Sequence, residues 1–170
     1  MEKTRIMFVC LGNICRSPMA EFIFKHLIKE QGKDGDFIVN SSAISDEEYG
    51  NPIYPPAKEQ LKKHGIPICE RHAVQLERVD YEKYDLFLFM DSNNVRLAKR
   101  LFGGDPENKV KLLLSYTGEE RDVFDPYYTR RFDIAYDDIY KGCIALLNAI
   151  KNGTMNLRRL TGNKTMKKKI

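Results

Sequence analysis

The sequence predicts an α/β fold: a single-domain, open, parallel four-stranded sheet with helices on both faces. Three observations lead there. Short, nearly continuous apolar runs alternate with longer stretches whose apolar residues recur every three or four positions, as buried parallel strands alternate with crossover helices. No internal repeat or linker divides the 170 residues, a length that suits one core. The first apolar run also passes through a Gly-Asn turn straight into a helical segment, placing that turn at the end of the sheet where such folds bind ligands.

Arg5-Ile6-Met7-Phe8-Val9 is the first strand. From Pro18 to about Glu30 the apolar positions Met19, Phe22, Ile23 and Leu27 mark one buried helical face. Phe37-Ile38-Val39 is the second strand, placed parallel to the first by the right-handed crossover rule. Asn40-Ser41-Ser42-Ala43 follows it, either turning the chain or bracing the first loop with small hydroxyls. Asp46 to Pro56, with Gly50, Pro52, Pro55 and Pro56, is a loop at the same end of the sheet, able to line a pocket mouth. Ala57 to His64 reads as a helix closed by Gly65. Asp85 to Met90 is the third strand, and Asp91-Ser92-Asn93 caps a helix running to Phe102, which gives Asp91 a structural role. Val110 to Leu114 supplies the fourth strand. Arg131 to Ile150 is the final helix, with Phe132, Ala135, Ile139, Cys143, Leu146 and Ile150 on one face.

The formal charge of +4 sits in the last 19 residues, whose six bases and no acids leave residues 1–151 at −2. The division expected is therefore a catalytic body, 1–151, and a basic, flexible tail, 152–170, with no nucleic-acid partner for the body. No apolar run approaches the roughly 20 residues of a membrane span, and Met1-Glu2-Lys3-Thr4 opens no signal peptide, so a cytoplasmic protein is expected. The four cysteines, at 10, 15, 69 and 143, show neither a disulfide framework nor a C-x2-C pair, and histidines 26, 64 and 72 are scattered. Neither a metal site nor a cofactor is expected.

The chemistry starts at Val9-Cys10-Leu11-Gly12-Asn13-Ile14-Cys15-Arg16-Ser17-Pro18. Five residues between Cys10 and Arg16 let the backbone curl with its N–H groups inward, and Gly12 and Asn13 readily accept the left-handed conformations a curl needs. Ser17-Pro18 reads as a helix start. Inward N–H groups and a helix N-terminus favour a phosphate-like dianion, whose oxygens Arg16 can hold in a planar fork. The same field favours the Cys10 thiolate, the form that attacks. The plainer alternative is a core cysteine closing a strand and an arginine opening a helix. The loop expected to bind substrate comprises Leu11, Gly12, Asn13, Ile14, Cys15 and Ser17, with Ser17 donating to the Cys10 sulfur or merely capping the helix. For the leaving group's proton, Asp125 stands before the last helix, fixed by Pro126 and flanked by aromatic residues; Asp105-Pro106 is its rival. Tyr127 and Tyr128 can stack on an aryl ring. A loop curled around one anion also brings Cys10 and Cys15 close, so Cys15 is either a redox partner or an apolar filler.

Phe8 to Pro18, with Asp125-Pro126-Tyr127-Tyr128, resembles the low-molecular-weight protein tyrosine phosphatases over roughly residues 4 to 151. The resemblance implies metal-independent hydrolysis of phosphotyrosine in proteins, or of small aryl phosphates, through a phosphocysteine intermediate. Phosphate or another oxyanion would be its product or inhibitor. It makes Cys10 the nucleophile, Arg16 the phosphate ligand, Asp125 the general acid and Ser41 a brace for the loop, and it pairs Cys15 with Cys10 under oxidation. Arsenate reductases and protein arginine phosphatases share the fold; arginine phosphatases typically carry Thr where this chain has Ile14. A phosphate-binding module without turnover is the alternative outside enzymes. Two departures from the family stand out. Glu47 replaces a common aromatic wall residue, with Tyr49 and Tyr54 nearby, and Arg71-His72-Ala73-Val74-Gln75 replaces His-x-Ala-Arg-Gln, which leaves a loop-bracing role for His72 open.

Overall fold

A computed structural model of the chain describes residues 2–153; the basic tail falls, from Thr154 onward, outside the described residues. The four strands β1 (Thr4–Cys10), β2 (Phe37–Ala43), β3 (Leu86–Phe89) and β4 (Val110–Leu112) form one parallel sheet in the order β2-β1-β3-β4. Six helices accompany them: α1 (Arg16–Glu30), α2 (Pro55–Lys63), α3 (Asp80–Lys83), α4 (Ser92–Phe102), α5 (Pro126–Thr129) and α6 (Phe132–Lys151).

Because strand side chains alternate, β1 and β3 feed two cores. Ile6, Phe8, Leu86 and Leu88 pack with α1, α2 and α6 on one face. Met7, Val9, Phe87 and Phe89 pack with Tyr81 of α3 and with Ala98 and Phe102 of α4 on the other. Fully burying such a side chain stabilises the fold by about 1.5–3 kcal/mol. Helices therefore cover both faces, as expected.

Helix α2 starts at Pro55 rather than Ala57, α3 and α5 are one-turn helices the sequence does not announce, and three further elements differ from the sequence reading. Helix α1 is buried almost all round, including Ala20, Phe24 and Ile28, because it lies against the sheet, α2 and α6 at once. Strand β2 does not stop at Val39: Asn40 to Ala43 remain extended, since each pairs in register with β1 as far as Cys10↔Ala43. That pairing outweighs the turn preference of Asn and Ser. Strand β4 ends at Leu112, and Leu113–Thr117 tightens into a 3-10 turn on which α6 rides so closely that a Cβ at Gly142 would lie 2.6 Å from Leu113 Cγ.

With all strands parallel, their C-terminal ends share one edge. Cys10 closes β1 there, and Asp91, which follows β3 at the same edge, caps α4 by accepting the Asn94 N–H at 2.8 Å.

Candidate active site

The loop from Leu11 to Cys15 curls because its carbonyls are engaged on the outside. Cys10 O, Leu11 O and Ile14 O accept the N–H groups of Ile44 (3.0 Å), Ser45 (3.0 Å) and Tyr54 (2.8 Å). On the inside, the Asn13 and Ser17 N–H groups converge on Cys10 Sγ at 3.3 and 3.4 Å. Asn13 is the residue in the left-handed region, at φ 59°. Gly12 serves a different purpose: the Glu48 side chain lies against it, and a Cβ there would sit 3.3 Å from Glu48 Cγ.

Leu11, Gly12, Ile14, Cys15, Tyr127 and Tyr128 line one pocket with Cys10, Arg16 and Asp125; Ser45, Glu47 and Glu48 complete it. Asn13 and Ser17 are not on that wall. The Asn13 side chain is wholly buried behind the loop, where its Nδ2 donates to Ser17 Oγ (2.8 Å) and Ser41 Oγ (2.9 Å). Ser17 makes no helix cap; its Oγ lies 3.0 Å from Cys10 Sγ. With Asn13 donating to that hydroxyl, its proton can go to the sulfur or to Ser42 O, 3.5 Å away.

Arg16 is 2% exposed. Its Nη1 donates to Asp91 Oδ2 (2.9 Å) and Val123 O (2.7 Å), and its Nη2 stands 3.5 Å from Asp125 Oδ2. Burial opposes the guanidinium charge, but Cys10, Asp125 and Asp91 outweigh it and hold Arg16 above the ordinary arginine value. Asp125 caps α5 by accepting the Tyr127 N–H at 3.0 Å. Its rival Asp105 is engaged elsewhere, accepting from Tyr81 Oη (2.7 Å) and the N–H groups of Lys109 (2.8 Å) and Val110 (3.1 Å). The Cys15 thiol is pushed up to about 12, by burial first and then by the neighbouring Cys10 and Asp125 charges.

Of the tyrosines considered for the wall near Glu47, neither faces the pocket. Tyr49 is 70% exposed, and Tyr54 packs behind Tyr127 with ring centroids 5.8 Å apart. His72 does not reach the loop either. Arg71 does: its Nη2 donates to Asn13 Oδ1, which also accepts the Val74 N–H at 3.1 Å. Burial lowers the Arg71 value, and Glu21 offsets part of that; Glu21 in turn accepts from Ser41 Oγ at 2.6 Å. Aligning Ala73 and Gln75 with His-x-Ala-Arg-Gln would have put Arg71 in the histidine's place. The contacts of Arg16 with Asp91 and Val123 left no comparable trace in the sequence.

A cysteine sulfur on the floor of a pocket, ringed by backbone donors and faced by a buried arginine and a carboxylate, on the C-terminal edge of a parallel sheet, defines a cysteine-centred phosphatase. The family model for low molecular weight phosphotyrosine protein phosphatase matches residues 5–156. The low molecular weight protein-tyrosine-phosphatase YfkJ of Bacillus subtilis is 36% identical over 148 residues, covering 86% of this chain and 95% of the relative. Its crystal structure superposes with a TM-score of 0.86, at 35% identity over 89% of this chain and 97% of that one. The human low molecular weight phosphotyrosine protein phosphatase is 35% identical over 147 residues, 85% of this chain and 91% of the relative. A Drosophila arginine phosphatase structure is also similar, with a TM-score of 0.79 and 29% identity over 86% of this chain and 97% of that one. The chain belongs to the low molecular weight phosphotyrosine protein phosphatase family.

Proposed function

We propose that this chain hydrolyses phosphotyrosine in proteins, and related aryl phosphate monoesters, through a phosphocysteine intermediate. One observation carries the reading: Cys10 Sγ, the Arg16 guanidinium and the Asp125 carboxylate converge on one pocket, with Arg16 and Asp125 only 3.5 Å apart. A phosphoryl group held by the loop N–H groups and Arg16 presents its phosphorus to the sulfur. As the P–S bond forms and the P–O bond breaks, Asp125 gives its proton to the departing phenolic oxygen. Water then attacks the phosphocysteine, Asp125 takes a proton back, and the sulfur leaves as a thiolate stabilised by the Ser17 hydroxyl. Tyr127, Tyr128 and Ile14 in the pocket lining suit an aromatic ring rather than a seryl chain. Residues 1–151 make up the catalytic unit in this reading, and its setting is the cytoplasm, whose reducing conditions keep Cys10 and Cys15 as thiols.

Turnover of phosphotyrosine, phosphoserine and phosphoarginine peptides, with arsenate reduction in parallel, tests the substrate class. Phosphotyrosine should dominate; preferential cleavage of phosphoarginine would overturn the assignment. The proton donor has its own test. Asp125→Asn should lower kcat/KM for phenyl phosphate by about 10²–10⁴, the range of general acid catalysis, while barely affecting dinitrophenyl phosphate, whose leaving group needs no proton. It should also flatten the alkaline limb of the pH profile. Equal losses on both substrates would remove Asp125 from the mechanism.

Oxidation follows from the same site. Mild peroxide should convert Cys10 to a sulfenic acid, which the Cys15 thiol then displaces with loss of water to give a Cys10–Cys15 disulfide. Bound phosphate should protect, and dithiothreitol should reverse the inactivation. Burial holds the Cys15 thiol above the ordinary cysteine value, so its thiolate fraction, and with it the disulfide-forming step, should rise with pH through the neutral range. Peptide mapping that finds Cys10 sulfinic acid and no linked pair, or a Cys15→Ala variant that recovers as fully as wild type, would leave Cys15 as packing alone.

A further inference from the structure

Asp125 lies at the end of a segment, residues 119–125, that is neither helix nor strand, and Phe124 beside it is 64% exposed. On its other side Pro126 is buried and the carboxylate caps α5. Upstream, three residues of the segment are tied to the rest of the fold. Val123 N donates to Met90 O at 2.7 Å, just beyond β3, while Val123 O accepts from Arg16. Asp122 Oδ1 accepts the Ser92 N–H at 2.9 Å, at the start of α4. Arg121 lays its guanidinium fork on Asp138 of α6, Nη1 to Oδ2 at 3.0 Å and Nη2 to Oδ1 at 2.9 Å. Of these, only the Arg121 fork joins the segment to α6, and its acceptor is buried, at 6% exposure.

Two parallel charge-assisted hydrogen bonds set an orientation as well as a distance, which a single contact does not. The fork is four residues from Asp125, and the Asp122 and Val123 ties lie between them. Loss of the fork lets the segment pivot about Val123, which its burial and its bonds to Met90 and Arg16 hold in place, and so shifts Asp125 at the far end. Arg16 keeps its own contacts with Asp91 and Val123, so the phosphate cradle is left as it was.

We propose that Arg121 and Asp138 are positioning residues for proton transfer: their fork holds the segment that places Asp125 over the leaving oxygen, without touching substrate. The proposal rests on the reading of Asp125 as the proton donor. It predicts a loss confined to substrates that need the proton. A displacement of about 1 Å can cost as much as 10²-fold in rate, and with two ties remaining, roughly tenfold on phenyl phosphate is expected.

The test uses Arg121→Gln, and the double variant Arg121→Gln/Asp138→Asn, which leaves no unpaired buried carboxylate should the single variant fold poorly. The readout is the ratio of kcat/KM for phenyl phosphate to that for dinitrophenyl phosphate, which does not depend on the fraction of enzyme folded. It should fall roughly tenfold in either variant, with the dinitrophenyl value within about twofold of wild type. In an Asp125→Asn background, Arg121→Gln should change the ratio no further, since the group it positions is gone. An unchanged ratio, or the same fall repeated in the Asp125→Asn background, would reduce the fork to a structural tie. If Asp125→Asn lowers the ratio and Arg121→Gln does not, only this proposal fails. If Asp125→Asn itself leaves the ratio unchanged, the proton-donor assignment fails and takes the proposal with it.

Discussion

Cys10→Ser should reduce turnover to below about one percent of wild type on every substrate, because a serine hydroxyl at this position has no adjacent base to activate it. The surroundings of the sulfur explain why binding should survive. The Asn13 and Ser17 N–H groups donate to the sulfur and Ser17 Oγ lies 3.0 Å from it, while Arg16 is held by Asp91 and Val123 rather than by the sulfur. Phosphate and a phosphotyrosyl peptide should therefore still bind, as titration calorimetry would measure. Residual turnover above that level on phosphotyrosine would rule out the phosphocysteine route.

Most of the sheet was legible in the sequence because strands buried on both faces need continuous apolar runs, as Ile6-Met7-Phe8-Val9 and Leu86-Phe87-Leu88-Phe89 supply. The second half of β2 was not, because Asn40-Ser41-Ser42 looks like a turn to any local criterion. Its extended form depends on pairing with β1, and Ser41 finds its hydrogen bonds at Asn13 and Glu21. The same divide runs through the site. Cys10 and Arg16 could be read because one loop imposes their spacing, and Asp125 because a Pro and two tyrosines follow it. Asp91 could not, since it reaches Arg16 from 75 positions away and a capping aspartate shows only its cap, while Arg71, 58 positions from Asn13, showed only in register with His-x-Ala-Arg-Gln. What the sequence concealed was the support of the reactive groups rather than the groups themselves.

That support decides what Arg16→Lys should do. The guanidinium spans three directions at once: Nη1 reaches Asp91 at 2.9 Å and Val123 O at 2.7 Å, while Nη2 faces Asp125 and the space above Cys10. A lysine ammonium keeps the positive charge but concentrates its donors on one nitrogen. Seated between Asp91 and Val123 O, it withdraws from the phosphate; turned to the phosphate, it leaves Asp91 and a buried carbonyl without their donor. Either way the fork that would meet two phosphoryl oxygens is gone when charge builds on them. Losing one preorganised donor of this kind costs about 10²–10³ in rate, and kcat/KM should fall by that factor. The fall should be the same for phenyl and dinitrophenyl phosphate, because stabilising the phosphoryl oxygens is needed whatever the leaving group. That uniformity separates it from Asp125→Asn, and inhibition by inorganic phosphate should weaken alongside. A loss of less than tenfold, with phosphate inhibition intact, would mean that the backbone N–H groups carry the phosphoryl charge and that Arg16 chiefly ties Asp91 to Val123.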